Sequence, residues 1–124
     1  GTIEVADIGL DVSSSTIGVM TADDIAARWP TRRADAHKWT HGAYVVAGSP
    51  GMTGAASLTT EAALRAGAGI VHLASPGVGE VSTSPIEVVR RPIGAESWGH
   101  EVLADVSRRF RVLAIGPSMV IKAI

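Results

Sequence analysis

The chain has 124 residues, 46% hydrophobic and 19% charged, with a formal net charge of −1. These values indicate one folded domain and exclude intrinsic disorder and an electrostatic nucleic-acid interface, and no apolar run reaches the roughly 20 residues of a membrane span. The absence of cysteine excludes disulfide scaffolds, thiolate zinc sites and cysteine catalysis, and is compatible with a cytoplasmic protein.

The first 42 residues are predicted to contain one short strand and one short helix. Residues 2–8 alternate apolar and polar side chains, which is typical of a strand, and residues 11–20 are Ser-rich and predict a linker. A helix is expected from Thr21, a good capping residue followed by acidic side chains, to about Trp29. Residues 31–42 are polar and basic and predict a loop.

A βαβ unit is predicted in the middle of the chain. Residues 43–48 form a continuous apolar run, as expected of a strand that is buried on both faces. Residues 54–66 predict a helix with one face of small residues, and Gly67 lies where a left-handed C-terminal cap is expected. Residues 70–74 predict the next strand, which should lie parallel to the first because a helical crossover joins the two.

The last third of the chain is predicted to add two strands and a helix. Residues 86–89 predict a strand, and a helix should run from a cap at Ser97 to about Arg109. Residues 112–115 predict a last buried strand. The fold class is therefore α/β, with helices packed on a mainly parallel sheet.

The glycine-rich turn over residues 48–54 is the most informative local motif. It follows a buried strand and opens a helix, and ligands of open α/β sheets bind where such turns lie. It lacks the Lys-Ser/Thr pair of a phosphate-binding P-loop, and its glycine spacing does not fit a dinucleotide-binding fingerprint. The alternative is a tight connection that binds no ligand.

Other polar and aromatic residues are assigned structural roles. His37 and His41 are four residues apart, but no third ligand is near and no metal site is predicted. His72 lies within a predicted buried strand and is expected to be a hydrogen-bonded core histidine. Arginines 90, 91, 108, 109 and 111 are expected on solvated faces, and tryptophans 29, 39 and 98 in core or cap contacts.

Several motifs taken together resemble one family. They are the His37-Lys38 pair with Gly42 after it, the strand and glycine turn over residues 45–56, and the Ala-Gly-rich segment over residues 62–71. Over roughly residues 37–117 this pattern is similar to the NAD(P)H-hydrate dehydratase family. The resemblance implies a ribokinase-like three-layer fold, of which this chain would hold the N-terminal part of the sheet.

The same resemblance implies a domain organisation. Residues 1–9 resemble the last strand of the epimerase domain that often precedes the dehydratase, so residues 1–20 are expected to be a remnant strand plus linker. Residues 21–124 would then be a partial dehydratase domain. The second glycine of the family's G-P-G loop is Ser118 here, and the segment with the family's catalytic aspartate is absent. No catalytic residue is therefore expected within this chain.

The function implied is the dehydration of the S form of hydrated NADH or NADPH, coupled to ADP or ATP, with Mg²⁺ as a possible further cofactor. The expected substrate- or cofactor-binding residues are Gly51, Gly54, Ala55, Gly116 and Pro117. The resemblance also implies a cytoplasmic protein, possibly a homo-oligomer. Two alternatives remain open, a ribokinase-like kinase acting on a sugar or vitamin and a non-catalytic nucleotide-binding module.

Overall fold

The structure is a computed structural model that describes residues 1–79 and 85–119. The chain divides into two units, Gly1–Arg32 and the part from Arg33 onward. The described residues of the second unit form four strands: β1 (Gly42–Val46), β2 (Ile70–Pro76), β3 (Val89–Ile93) and β4 (Val112–Ile115). All of them pair in parallel, in the order β3-β2-β1-β4, which confirms the predicted α/β class.

The first unit contains a single helix, α1 (Ala22–Arg28). Its predicted cap is confirmed, because the Thr21 hydroxyl accepts the Asp24 N–H and the Asp24 carboxylate accepts the Thr21 N–H. The strand predicted over residues 2–8 is wrong for this chain. Those residues are exposed and form no ladder, since alternation yields a strand only where a second strand supplies hydrogen bonds. Their origin in a preceding domain stays a prediction.

The second unit has three layers. Helix α2 (Gly54–Arg65) lies against one face of the sheet, where Ala56 packs with Val45 and Val71 in one apolar cluster. Helix α3 (Gly99–Arg109) lies against the other face, where Val102 packs with Tyr44 in a second cluster. All five residues of β1 are buried, because this strand has neighbours on both sides and helices on both faces.

The end of α2 is fixed by the glycine predicted to cap it. Gly67 has φ +98°, and its N–H donates to the Leu64 carbonyl at 3.0 Å. The next N–H, of Ala68, donates to the Ala63 carbonyl at 3.0 Å. This pair of bonds is a Schellman motif, which satisfies carbonyls that the helix end would otherwise leave open.

Two predicted boundaries in the last third of the chain are corrected. β3 begins at Val89 rather than residue 86, because residues 85–88 form a turn in which the Val88 N–H donates to the Pro85 carbonyl. It continues through Pro92, which an edge strand accepts, since β3 pairs only with β2 among the described residues. Helix α3 begins at Gly99 rather than Ser97, and Ser97 adopts a left-handed conformation with φ +57°.

Among the described residues, no helix combines the length and the apolar character needed to cross a bilayer.

Candidate functional site

The strand order creates a reversal point beside β1. The chain proceeds from β1 to β2 to β3 in one direction across the sheet, then crosses back over β1 to form β4. β1 and β4 are therefore neighbours, and the helix that follows β1 and the helix that precedes β4 pack on opposite faces of the sheet. In open α/β sheets a crevice opens at the carboxyl ends of two such strands and commonly holds the ligand.

Two loops meet at this carboxyl edge, the edge at which all four strands end. The Gly48 N–H, just after β1, donates to the Pro117 carbonyl, just after β4, at 2.9 Å. The Gly116 N–H donates to the Val46 carbonyl at 2.8 Å and extends the pairing of the two strands. The structure thus brings together the two segments that the sequence analysis assigned to ligand binding.

The five predicted binding residues lie in these two loops and at the start of α2. Gly51 is exposed with φ +79°, and Gly54 is the exposed first residue of α2. Ala55 and Gly116 are half-buried, and Pro117 is exposed. All five are placed at one edge of the sheet, and their contacts with a ligand stay predictions.

The His37-Lys38 pair does not lie at this crevice. A Cβ atom on Gly69, which directly precedes β2, would come within 2.5 Å of the Lys38 carbonyl oxygen. The Gly69 N–H also donates to the His41 carbonyl at 2.9 Å. This segment therefore packs at the amino edge of the sheet, opposite the glycine-rich turn.

Gly48 has a role that the sequence analysis did not single out. Its φ is +80°, and a Cβ atom there would lie 3.2 Å from both the Ala56 Cβ and the Met52 carbonyl oxygen. Glycine at this position lets the chain turn sharply out of β1 and lets α2 pack closely on the sheet. The glycine spacing pointed to a tight turn, but not to this contact.

The amino end of α2 has no side-chain cap. Thr53 is the N-cap residue, but its hydroxyl makes no capping hydrogen bond. Its backbone is helical, with φ −93° and ψ −14°, whereas the capping Thr21 is extended with ψ 168°. Within the described residues no side chain therefore caps the N–H groups of the first turn of α2, which lie at the positive end of the helix dipole, and this end favours an anion.

The residues at the crevice do not fit a magnesium ion. Residues 48–54 and 116–119 include no aspartate or glutamate, and Mg²⁺ is held in proteins chiefly by carboxylates together with substrate phosphates. Within residues 1–79 and 85–119, no group of three or more His, Asp or Glu side chains could hold a metal ion.

The polar side chains on the α3 face form a separate cluster. Arg91 in β3 is exposed, as predicted for a solvated face, and it pairs with Asp105 in α3 at 2.8 Å, so it ties this strand to the helix. Burial raises the pKa of the Tyr44 hydroxyl, and the Asp105 charge adds to this. Clefts on both sides of the ion pair are lined by these groups, by His72 and by Arg109.

The prediction for His72 is corrected. Its Nδ1 is buried and has no hydrogen-bond partner in the described part of the chain. The ring instead lies among aromatic rings, with centroids 4.7 Å from Phe110, 5.8 Å from Trp39 and 5.9 Å from Tyr44. Burial lowers the pKa of His72, and the charge of Arg91 lowers it further.

The tryptophans have different environments. Trp39 and Trp98 pack against the apolar cluster on the α3 face, as predicted for core contacts. The Arg109 guanidinium lies 5.3 Å from the centre of the Trp39 ring, a cation–π distance. Trp29, in the first unit, is 58% exposed and does not contribute to a core.

Comparison with known proteins gives one consistent result. A family model described as NAD(P)H-hydrate dehydratase matches residues 43–119. The chain is 35% identical to the bifunctional NAD(P)H-hydrate repair enzyme of Moorella thermoacetica and 42% identical to that of Salinibacter ruber, in each case over 96% of this chain and 25% of the relative. It is 33% identical to the ADP-dependent (S)-NAD(P)H-hydrate dehydratase of Bacillus subtilis, over 80% of this chain and 36% of that enzyme. The chain therefore spans about a quarter to a third of the length of these curated relatives.

Proposed function

The chain belongs to the NAD(P)H-hydrate dehydratase family, and from this premise we propose that it forms part of an enzyme that dehydrates the S form of hydrated NADH or NADPH. The reaction is coupled to ADP or ATP, as the name of the Bacillus subtilis relative states for ADP in that enzyme. By analogy, phosphorylation of the ring hydroxyl makes it a leaving group, and elimination restores the reduced nicotinamide ring.

The single observation that carries the proposal is the hydrogen bond between Gly48 and Pro117 at the reversal point. It supports a ligand site in which Gly51, Gly54 and Ala55 lie on one side and Gly116 and Pro117 on the other. The uncapped amino end of α2 supplies N–H donors for a polar or anionic group of the nucleotide. The two loops offer no carboxylate to magnesium, so a Mg²⁺ ion that accompanies the nucleotide would be held by the phosphates and by residues outside these loops.

A cytoplasmic location and a homo-oligomeric assembly of the whole protein belong to the same proposal. The absence of cysteine is compatible with that compartment. Fractionation of cells and light scattering of the purified protein test these two points separately from the chemistry.

A segment exchange tests the function. The part of the Bacillus subtilis dehydratase that aligns with this chain is replaced by this chain, and ADP-dependent recovery of NADPH absorbance from hydrated NADPH is measured. We expect the chimera to be active, since its remaining part supplies the base and the nucleotide site. A folded chimera that fails to dehydrate the hydrate, or that phosphorylates pyridoxal or hydroxymethylpyrimidine instead, would contradict the proposal.

A matched variant of the chimera carries Ala55→Leu. The half-buried Ala55 lies in the first turn of α2, so a larger side chain should fill the crevice as well as strain the packing by about 1–3 kcal/mol. The free energy of binding the hydrated cofactor should weaken by more than the free energy of unfolding decreases. Unchanged affinity in this variant would show that Ala55 does not border the ligand.

A further inference from the structure

The turn between β1 and α2 contains a buried hydroxyl without a partner. Ser49 is 3% exposed, and its Oγ makes no hydrogen bond within residues 1–79 and 85–119. A polar group buried without a partner costs about 1–3 kcal/mol, so folded proteins seldom retain one unless it has a use.

Neighbouring buried hydroxyls are satisfied. Ser75, near the carboxyl end of β2, donates its hydroxyl to the Ala47 carbonyl at 2.6 Å. Thr60, within α2, donates its hydroxyl to the Ala56 carbonyl at 2.9 Å. Both of these buried hydroxyls thus donate to a backbone carbonyl. The Ser49 hydroxyl has no such acceptor among the described residues.

The backbone around Ser49 is held in place. The Gly48 N–H before it bonds to Pro117, and the Ser49 carbonyl accepts the Met52 N–H at 2.8 Å. The hydroxyl itself rotates about a single side-chain torsion. Rotation of this side chain toward a ligand would therefore break no hydrogen bond of the hydroxyl within the described residues.

The uncapped start of α2 indicates which ligand group the hydroxyl would meet. Thr53 leaves the first-turn N–H groups open, and the helix dipole favours negative charge at that end. A serine hydroxyl adds a further donor to such a set.

We propose that Ser49 is a further ligand-binding residue, which donates its hydroxyl hydrogen bond to a phosphate oxygen of the nicotinamide nucleotide held at the amino end of α2. This inference rests on the proposed function. It adds to it the prediction that the phosphate-bearing part of the ligand, rather than the nicotinamide ring, lies beside the turn.

The test compares the 124-residue chain with its Ser49→Ala and Ser75→Ala variants. Urea unfolding measures the free energy of unfolding, and titration calorimetry measures binding of NADPH and of reduced nicotinamide riboside, which has no phosphate. Ser49→Ala should leave stability unchanged or raised, because it removes an unsatisfied group, and should weaken NADPH binding about ten-fold or more. Ser75→Ala should lower stability, since it removes the bond to Ala47. Riboside binding should be the same in the wild type and in Ser49→Ala.

Three results would overturn the inference. NADPH affinity that survives Ser49→Ala would remove the hydroxyl from the ligand site while leaving the proposed function intact. A loss of stability in Ser49→Ala equal to that in Ser75→Ala would make the hydroxyl structural. Failure of the wild-type chain to bind NADPH at all would contradict the inference, whereas the activity of the chimera tests the proposed function separately.

Discussion

Gly48 occupies a position where the conformation and the space both require glycine. Its φ of +80° costs another residue roughly 1–2 kcal/mol, and an added Cβ atom would meet Ala56 and the Met52 carbonyl at 3.2 Å. Gly48→Ala should therefore lower the free energy of unfolding, measured in urea, by at least about 1–2 kcal/mol.

Gly54 provides the matched control, because it lies at the end of the same turn, as the first residue of α2, but has open space around its Cα. Gly54→Ala should be neutral or stabilise the chain by up to about 1 kcal/mol, since alanine is the better helix former. Equal losses of stability in the two variants would mean that the turn does not have the described conformation.

His72 makes the stability depend on pH. Burial holds its pKa below the ordinary value, so the unfolded chain binds the proton more readily than the folded chain. The stability that comes from the neutral ring is present above about pH 6.5 and is lost as the pH falls through that value.

Urea unfolding at several pH values tests this sign. The wild type should lose stability between about pH 7 and pH 5, and His72→Phe should lose less because it has no proton to bind. His100→Gln, on the exposed side of α3, is the control and should follow the wild type. A wild-type chain that gains stability over this range would contradict the assignment.

The stability of the short helix α1 depends on its N-terminal cap. The helix has seven residues and buries none of them, so packing adds little to its stability. The bonds from Thr21 lower the pKa of Asp24, which means that their contribution is present at neutral pH and is lost as the carboxylate is protonated.

The amide chemical shifts of residues 22–28 report whether α1 is helical, so they measure the effect of removing the cap. Thr21→Ala should remove about 1 kcal/mol and shift these signals toward their random-coil values, and acidification below about pH 4 should do the same to the wild type. Thr16→Ala, in the exposed segment before the helix, should change neither. Helical shifts that persist in Thr21→Ala would show that something other than the cap holds the helix.

The elements with strong local signals were predictable. A continuous apolar run predicts β1, and a face of small residues together with the Gly67 cap predicts α2 and the start of β2 after it. Each of these elements lies within about two residues of its predicted bounds. β3 was displaced because its sequence, with two arginines and Pro92, reads as a loop unless it is known to be an edge strand. The edge position of β3 follows from the strand order, and no local sequence pattern contains the strand order.

The site was predictable only as two separate segments. The glycine-rich turn and the Gly116-Pro117 loop each have a sequence signal, but their meeting depends on β4 crossing back to lie beside β1. The unsatisfied Ser49 hydroxyl has no sequence signal, because a serine in a turn is ordinary and only burial makes it exceptional. The lack of a cap at Thr53 likewise depends on a backbone angle.

The 124 residues alone should not catalyse dehydration of hydrated NADH or NADPH. Elimination needs a proton acceptor at the ring, and coupling needs a site for the nucleotide phosphates. Two carboxylates within the helices already have partners, Glu61 with Arg65 and Asp105 with Arg91. Recovery of NADPH absorbance from its hydrate, assayed with the purified chain and ADP or ATP, should stay at the uncatalysed rate. A clear ADP- or ATP-dependent rate would mean that one of these carboxylates acts as the base.

The ligand site is proposed to lie at the reversal point between β1 and β4. Amide NMR spectra recorded during a titration with NADPH would map the residues that contact the ligand. Each residue of the two loops except proline has its own amide signal, so the contact surface can be mapped without a variant. The largest shifts should fall on residues 48–55 and on Gly116 and Ser118. Shifts confined to the clefts around Arg91 and Asp105 on the α3 face, or no shifts at all, would contradict it.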